Sequence, residues 1–574
     1  MRKKMKVGLI ISSLVIASLS AAGITYGLLW RNENNGGVLN DTISPIVNIL
    51  SPLNTSYVED VHIIEIDVVD NEEIEEIWYS WDGITNYTYT RRTLERFPDG
   101  IHTLHAWARD TSGNVGSTSL TFVVMLSDPF ISKWDTTQVG GIGSTGNLQV
   151  KLPLEQDGNY LFRVDWGDGT ADTIYRWDQI EATHTYKYEG TYTISIAGTI
   201  DGWTFNGEGD TTKLNEISQW GTLQLGNSGG YFHGCYYLDV TASDMLDLTG
   251  ITNFQNMFAD CRSIDLVENM NLWNVSEVTD MSSMFYNTHL FNQDISDWDV
   301  SKVVNMHNMF SSARVFNQDI GGWDVSSVTN MSGMFLYADD FNQYIGNWDV
   351  SSVTNMSSMF TFAESFNQTV ENWDVSSVTD MSTMFAGATN FNQSLNNWNV
   401  SGVTEMMGMF SGAINFNQPL NNWDVSNVTD MSVMFCDATS FNRNITGWDV
   451  SSVTNMGSMF CSATSFNQSI GVWNVSNVVN MGGLFSEAIS FNQFLGDWNV
   501  SNVETMTEMF IGVTLSTFNY DTMLINWSNL TTLQTGVQFH GGNSQYTNGG
   551  DALNARNSLI AIYGWVITDG GPKT

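Results

Sequence analysis

From about Trp273 to Phe510 the hydrophobic and polar positions of the chain follow one rule. Trp recurs at 273, 298, 323, 348, 373, 398, 423, 448, 473 and 498, and Phe at 285, 310, 335 and onward to 510, each step being 25 residues. A fixed period of this size marks a stacked array in which every unit buries its apolar face against its neighbours. The pattern changes halfway through each unit. The first half, as in Phe316-Asn-Gln-Asp-Ile320-Gly-Gly-Trp323-Asp-Val325, is short, extended and rich in Asn, Gly and β-formers. The second half carries Val303, Met306, Met309/Phe310 and Ala313 in steps of three and four, the spacing of one helical stripe. Asp299 and Ser301 stand just before that stripe, where side-chain oxygens cap free N–H groups. The pattern predicts a leucine-rich-repeat-like coil of strand, turn and helix, with a pure β-helix as the competing geometry. At about 4.8 Å per coil, ten coils span roughly 50 Å. The methionine column reads as adaptable core filler.

Upstream the period shortens to two. Val61-His-Ile-Ile-Glu-Ile-Asp-Val68, Ile77-Trp-Tyr-Ser-Trp81, Thr103-Leu-His-Ala-Trp-Ala108 and Ser119-Leu-Thr-Phe-Val-Val124 read as strands, separated by turn signals such as Asp82-Gly83 and Ser112-Gly-Asn114. A polar linker, residues 32–44, precedes them. The chain opens with Arg2, Lys3, Lys4 and Lys6, followed by an uncharged apolar run from Val7 to Trp30. That start keeps the N-terminus inside and exports the rest. The run is long enough to span a bilayer, so residues 1–31 are expected to be a retained transmembrane anchor, or a signal peptide if cleaved after Ser20-Ala-Ala22.

Charge narrows the partners. The formal net charge is −40, with 21 Lys+Arg, and only Arg262, Lys302, Arg314 and Arg443 fall between 251 and 510. Nucleic acids and anionic headgroups both require basic contacts, so neither is expected as a partner. At 42% hydrophobic residues the chain has ample material for a core, and disorder is excluded.

Three candidate chemistries follow from spacing. Cys436 and Cys461 lie one period apart and Cys235 and Cys261 nearly so, which places each pair on adjacent coils within reach of a disulfide. Two disulfides stapling the stack are therefore expected, as suits an oxidising exterior. The Asp that follows Trp in the repeat (Asp299, Asp324, Asp349) is replaced by Asn at 274, 399, 474 and 499, so the position calls for a hydrogen-bond acceptor, not a cation ligand. One column varies freely beside constant neighbours: Asp294, Asp319, Tyr344, Thr369, Ser394, Pro419, Asn444, Ser469 and Phe494. Solenoids bind through such faces, which makes this column the candidate binding surface. The eight histidines are scattered and form no His-Glu-x-x-His, and no catalytic, cofactor-binding or metal-ligating residue is singled out. Sequons at Asn54, Asn86, Asn274, Asn399, Asn427, Asn474, Asn499 and Asn529 offer glycosylation sites.

Three stretches carry resemblances. The repeat Trp-Asp-Val-Ser-x-Val-Thr-x-Met-x-x-Met-Phe-x-x-Ala-x-x-Phe-Asn-Gln resembles that of BspA-like leucine-rich-repeat surface proteins, which share repeats with mycoplasma surface lipoproteins. The likeness covers roughly 210–574 and implies an exposed adhesion or interaction protein. Asp99-Gly-Ile-His-Thr-Leu-His-Ala-Trp-Ala-Arg-Asp110, with Gly113-Asn114, is similar to Ig-like spacer domains. Val164-Asp-Trp-Gly-Asp-Gly-Thr170 with His184-Thr-Tyr186 resembles a PKD-type β-sandwich. There Asp165 and Asp168 either bind Ca2+ or shape the turn, and the turn is the preferred reading.

The expected order is therefore an anchor (1–31), a linker (32–44), an Ig-like sandwich (45–125) and a PKD-like sandwich (129–200). A cap opening the array (210–272), the repeat solenoid (273–510) and a C-terminal cap (511–574) follow. The expected function is a non-enzymatic, cell-surface adhesion or interaction protein binding extracellular protein or glycan. A self-assembling envelope component is the alternative, and a carbohydrate-active solenoid enzyme a more distant one.

Overall fold

In the computed structural model the described residues are 41–57, 61–98, 100–124 and 128–573. The anchor expected over 1–31 lies outside them, and no helix among the described residues is long and apolar enough to cross a membrane. The chain divides into two units.

The first unit comprises Met1–Ser51, Ile63–Thr93 and Thr103–Leu120. Its elements among the described residues are all β-strands, which fits the Ig-like reading. Strand Ile46–Ser51 runs antiparallel to Val61–Val69 with Ile46 opposite Val69, and Ile74–Ser80 runs antiparallel to Gly100–Asp110 with Ile74 opposite Asp110. Alternation along the last strand turns Leu104, Ala106, Ala108 and Asp110 inward.

The second unit comprises Pro52–His62, Leu94–His102 and Thr121–Thr574. Its first layer is a sheet in which Phe130–Asp135 pairs on one side with Thr191–Trp203 and on the other with Leu214–Gln219. The sheet thus continues from the expected second sandwich into the cap that opens the array. Parallel pairing of Leu214–Gln219 with Asp239–Val240 turns the sheet into the stack, and bridges from Val240 to Val267 and from Asn253 to Asp280 begin it. Just before strand Leu214–Gln219, Lys213 is fully buried. Its Nζ meets Asp210 Oδ1 at 3.1 Å and donates to the carbonyls of Thr145, Gly146 and Gln149.

The array is a stack of coils without helices, which corrects the expected strand-turn-helix repeat. Parallel bridges join Asp280, Asn305, Asn330, Asn355, Asp380 and so on to Thr505, one per coil. In the coil that starts at Met331, the N–H groups of Met331, Gly333, Phe335 and Tyr337 donate sideways to Asn355, Ser357, Met359 and Thr361 of the next coil, at 2.8–3.1 Å. The intervening residues close three-residue turns: Met334 to Met331, Leu336 to Gly333 and Ala338 to Phe335. Every coil also holds two left-handed residues four apart, as at Asn308 and Ser312 or Ser358 and Phe362. A left-handed residue breaks the run of right-handed dihedrals that an α-helix requires, and the N–H groups go to a neighbour instead of along an axis. Successive turns share the three-and-four spacing of a helix, and that is why the apolar stripe resembles one.

The core consists of stacked rings. Phe335 lies 3.9 Å from Phe341 within its coil and 5.6 Å from Phe360 of the next. Trp348 donates its Nε1 hydrogen to the Ile320 carbonyl one coil back at 3.1 Å. At the far end α1 (Thr517–Ser528) and α2 (Gly550–Tyr563) close the stack, and Phe510 N–H donates to His540 of the short strand Gln538–His540.

Candidate functional site

The free column lies on the solvent side of the coils. Asp294, Asp319, Tyr344, Thr369, Asn444 and Ser469 are exposed, while Ser394, Pro419 and Phe494 are half-buried; the next residue inward, Ile295, Ile320 or Ile345, is fully buried. Its members hold the turn in two ways. Asp294, Asp319 and Asn444 accept from the N–H two residues on (Ser296, Gly321 and Thr446) at 3.0 Å. The aromatic members instead lie over glycine. A Cβ on Gly346 would come 2.8 Å from the Tyr344 ring, and one on Gly496 would come 2.8 Å from that of Phe494. The Ser296 N–H and hydroxyl hold the Asp294 carboxyl below the usual carboxylate range, so the site is anionic at neutral pH.

Beside this column runs a ladder of amides that explains the Phe-Asn-Gln triplet. Asn392 Oδ1 accepts from Asn417 N–H at 3.0 Å, while the Gln418 amide donates to the Asn392 carbonyl at 3.0 Å, and the motif repeats along the stack. Asn342, Ser365, Asn367, Asn390, Asn392 and Asn415 line a shallow concavity here. One feature escaped the sequence reading: the exposed rings of Tyr337 and Phe362 stack at 4.8 Å and 4°, both in the left-handed region. A signal was available, because the same column elsewhere holds Asn287, Ser312, Gly387, Gly412 and Asp437. Those residue types tolerate that conformation far better than an aromatic does.

The other sequence candidates resolve as follows. The Asp column is an acceptor, serving a turn and not a helix cap: Asp299 Oδ1 takes the Ser301 N–H at 3.1 Å and hydroxyl at 2.6 Å, and Asn399 takes the same pair from Ser401. Asp165 accepts from Gly167 N–H and Asp168 from Thr170 N–H, both at 3.0 Å, while Asp168 Oδ2 lies 2.9 Å from His184 Nε2. These contacts support the turn reading. The expected disulfides are not formed; all four cysteines are free thiols. Each pair is nonetheless brought together. Burial and then the neighbouring Cys261 push the Cys235 thiol far up, and burial and then Cys461 do the same to Cys436. In the fully buried Cys235/Cys261 pair both thiols are raised, by burial above all, and hold little of the thiolate that bond formation needs. Cys261 Sγ instead donates to the Phe232 carbonyl at 3.0 Å.

No curated protein matches the chain. A family model described as "Mycoplasma protein of unknown function, DUF285" matches residues 252–372, 362–463 and 442–547. These three overlapping matches tile the coil array and reach into its C-terminal cap, and together they cover just over half of the 574 residues. The match agrees with the mycoplasma side of the resemblance drawn from the repeat, whereas the helix-free coil departs from its leucine-rich-repeat side. The chain therefore belongs to the DUF285 family of repeat proteins.

Proposed function

We propose that this protein is exported and displayed at the cell surface, where its coil array binds an extracellular protein or glycan without performing chemistry. One observation carries this reading. Successive coils keep one scaffold of Trp, Phe, Met and Asn, while a solvent-side column, Asp294 through Phe494, changes from coil to coil. Such a face offers many weak contacts at one-coil spacing, and their combined effect exceeds that of any one of them. The adjoining Asn-lined concavity adds neutral donors and acceptors suited to hydroxyl or peptide groups. The basic and then apolar N-terminal residues support export, and the net charge of −40 argues against nucleic acid.

The test is binding of the full chain to a glycan array and to partner cells, beside a variant carrying Tyr344→Ser, Thr369→Ala and Phe494→Ser. Binding lost in the variant, with thermal unfolding unchanged, supports the column as the contact face. Equal binding by both overturns it. Ordered lateral packing in isolated envelopes, with no binding to either target, would favour the self-assembling envelope component instead.

A further inference from the structure

One charged residue of the first unit violates the pattern that built it. Strand Gly100–Asp110 alternates inward from Leu104 through Ala106 and Ala108 to Asp110, which is fully buried at a position where the period calls for an apolar side chain. The register explains what gathers around it. Asp110 lies opposite Ile74, Val69 lies opposite Ile46, and so Asp70 and the chain arriving before Ile46 meet at the same end of the unit. Carboxylate oxygens of Asp41, Asp70 and Asp110 there lie within 4.8 Å of one another. Three like charges at this spacing repel unless a counter-charge sits among them. Among the described residues no Lys or Arg forms an ion pair with any of the three.

A second observation is independent of the clustering. Asp41 Oδ2 and Asp70 Oδ2 are each shut off from solvent, and neither accepts a hydrogen bond. A buried carboxylate oxygen without a donor is costly, and two of them on half-buried side chains beside a third carboxylate suit a cation. Asp110 is held ready: its Oδ1 accepts from Ser112 and Asn114 N–H and its Oδ2 from the Asn114 amide, at 2.8–2.9 Å, and four lone-pair sites leave room for a metal bond. The same Asn114 amide donates to the Asp41 carbonyl at 3.0 Å, and a Cβ on Gly116 would collide with the Pro45 carbonyl, so residues 41–45 lie flush against this loop.

We propose that Asp41, Asp70 and Asp110 form a calcium site that fastens the incoming chain to the first β-unit. The donors are oxygens only and come from three separate segments, which suits a hard cation tolerant of irregular geometry, Ca2+ over Mg2+. Bound calcium cancels the mutual repulsion and orders residues 41–45, stiffening the point where the polar linker enters the domain.

The test is hydrogen–deuterium exchange of the full chain, stripped with EGTA and then supplied with CaCl2 or MgCl2 alone. Extracellular calcium modules bind at about 0.1–1 mM, so at about 10 mM CaCl2 exchange in peptides covering 41–51 and 110–116 should slow about tenfold. Asp70→Asn should abolish that response, and without calcium it should exchange more slowly than the wild type, because one repelling charge is gone. Asp70 is the variant of choice because Asp110 also shapes its loop; Asp41→Asn provides the second. Unchanged wild-type exchange, or an equal response in wild type and Asp70→Asn, overturns the site. Equal protection by MgCl2 overturns the calcium assignment.

Discussion

At the scale of single residues, Asn392 stands in for a piece of backbone. Its Oδ1 takes the N–H of Asn417 in the next coil, and Gln418 returns a bond to its carbonyl. Asn392→Ala leaves a half-buried N–H without a partner and should cost about 1–3 kcal/mol in urea unfolding, while Asn392→Asp, which keeps the acceptor, should cost less. The Asp column makes a similar point through pH. The Ser301, Ser351 and Ser451 hydroxyls and N–H groups hold Asp299, Asp349 and Asp449 below their unfolded value of 3.8. A depressed folded value adds stability that is present above the unfolded one and is lost as pH falls through the folded one. Thermal melts taken from pH 6 down to pH 2 should therefore steepen below about pH 4. The triple Asp→Asn variant, which makes the same bonds uncharged, should give a flatter curve. The alternation of Asp and Asn in the sequence revealed the need for an acceptor. It did not reveal what the acceptor serves, since an oxygen two residues ahead of a Ser suits a turn as well as a helix start.

At the scale of elements, the coil shows how far periodicity can be read. Trp298, Phe310, Phe316 and Ile320 were legible as core because they repeat, and all are buried. The conformation of Met306–Ala313 was not, because three-residue turns and an α-helix place side chains at the same steps. The decisive information lies in dihedrals at Asn308 and Ser312, and across coils those positions accept Ser, Asn, Thr, Val, Glu, Tyr and Phe as well as Gly. Gly387, Gly412 and Gly512 at the second of these positions hint at a left-handed turn, while Thr383, Val433 and Glu508 at the first mask it. The free column was legible as a face, whereas the Asp41–Asp70–Asp110 cluster was not, since strand register alone joins residues so distant in sequence. The buried Asp210–Lys213 pair, equally silent in the sequence, ties residues 144–151 to the start of strand Leu214–Gln219. Lys213→Met should destabilise by about 3–5 kcal/mol in denaturant unfolding because it leaves the buried Asp210 carboxylate without its counter-charge.

At the scale of the whole molecule, each coil bonds only to the coils before and after it. Excising residues 349–373 joins Trp348 to Asp374 in the same phase, so the shortened protein should keep its circular dichroism per residue and melt within a few degrees of the wild type. Removing one residue fewer should instead abolish cooperative melting, since every downstream ring then faces the wrong side. The same neighbour-only bonding gives the two caps a second role. A coil's forward edge presents N–H groups that any following coil would satisfy, and its rear edge presents the matching carbonyls. In the intact chain His540 meets Phe510 at one end, and Gln255 meets Gly230 at the other. A fragment of residues 279–510, freed of both caps, carries complementary unpaired edges and no symmetry that closes them on each other. It is a monomer for head-to-tail polymerisation, and it should grow into filaments visible by electron microscopy, with the caps acting as chain terminators.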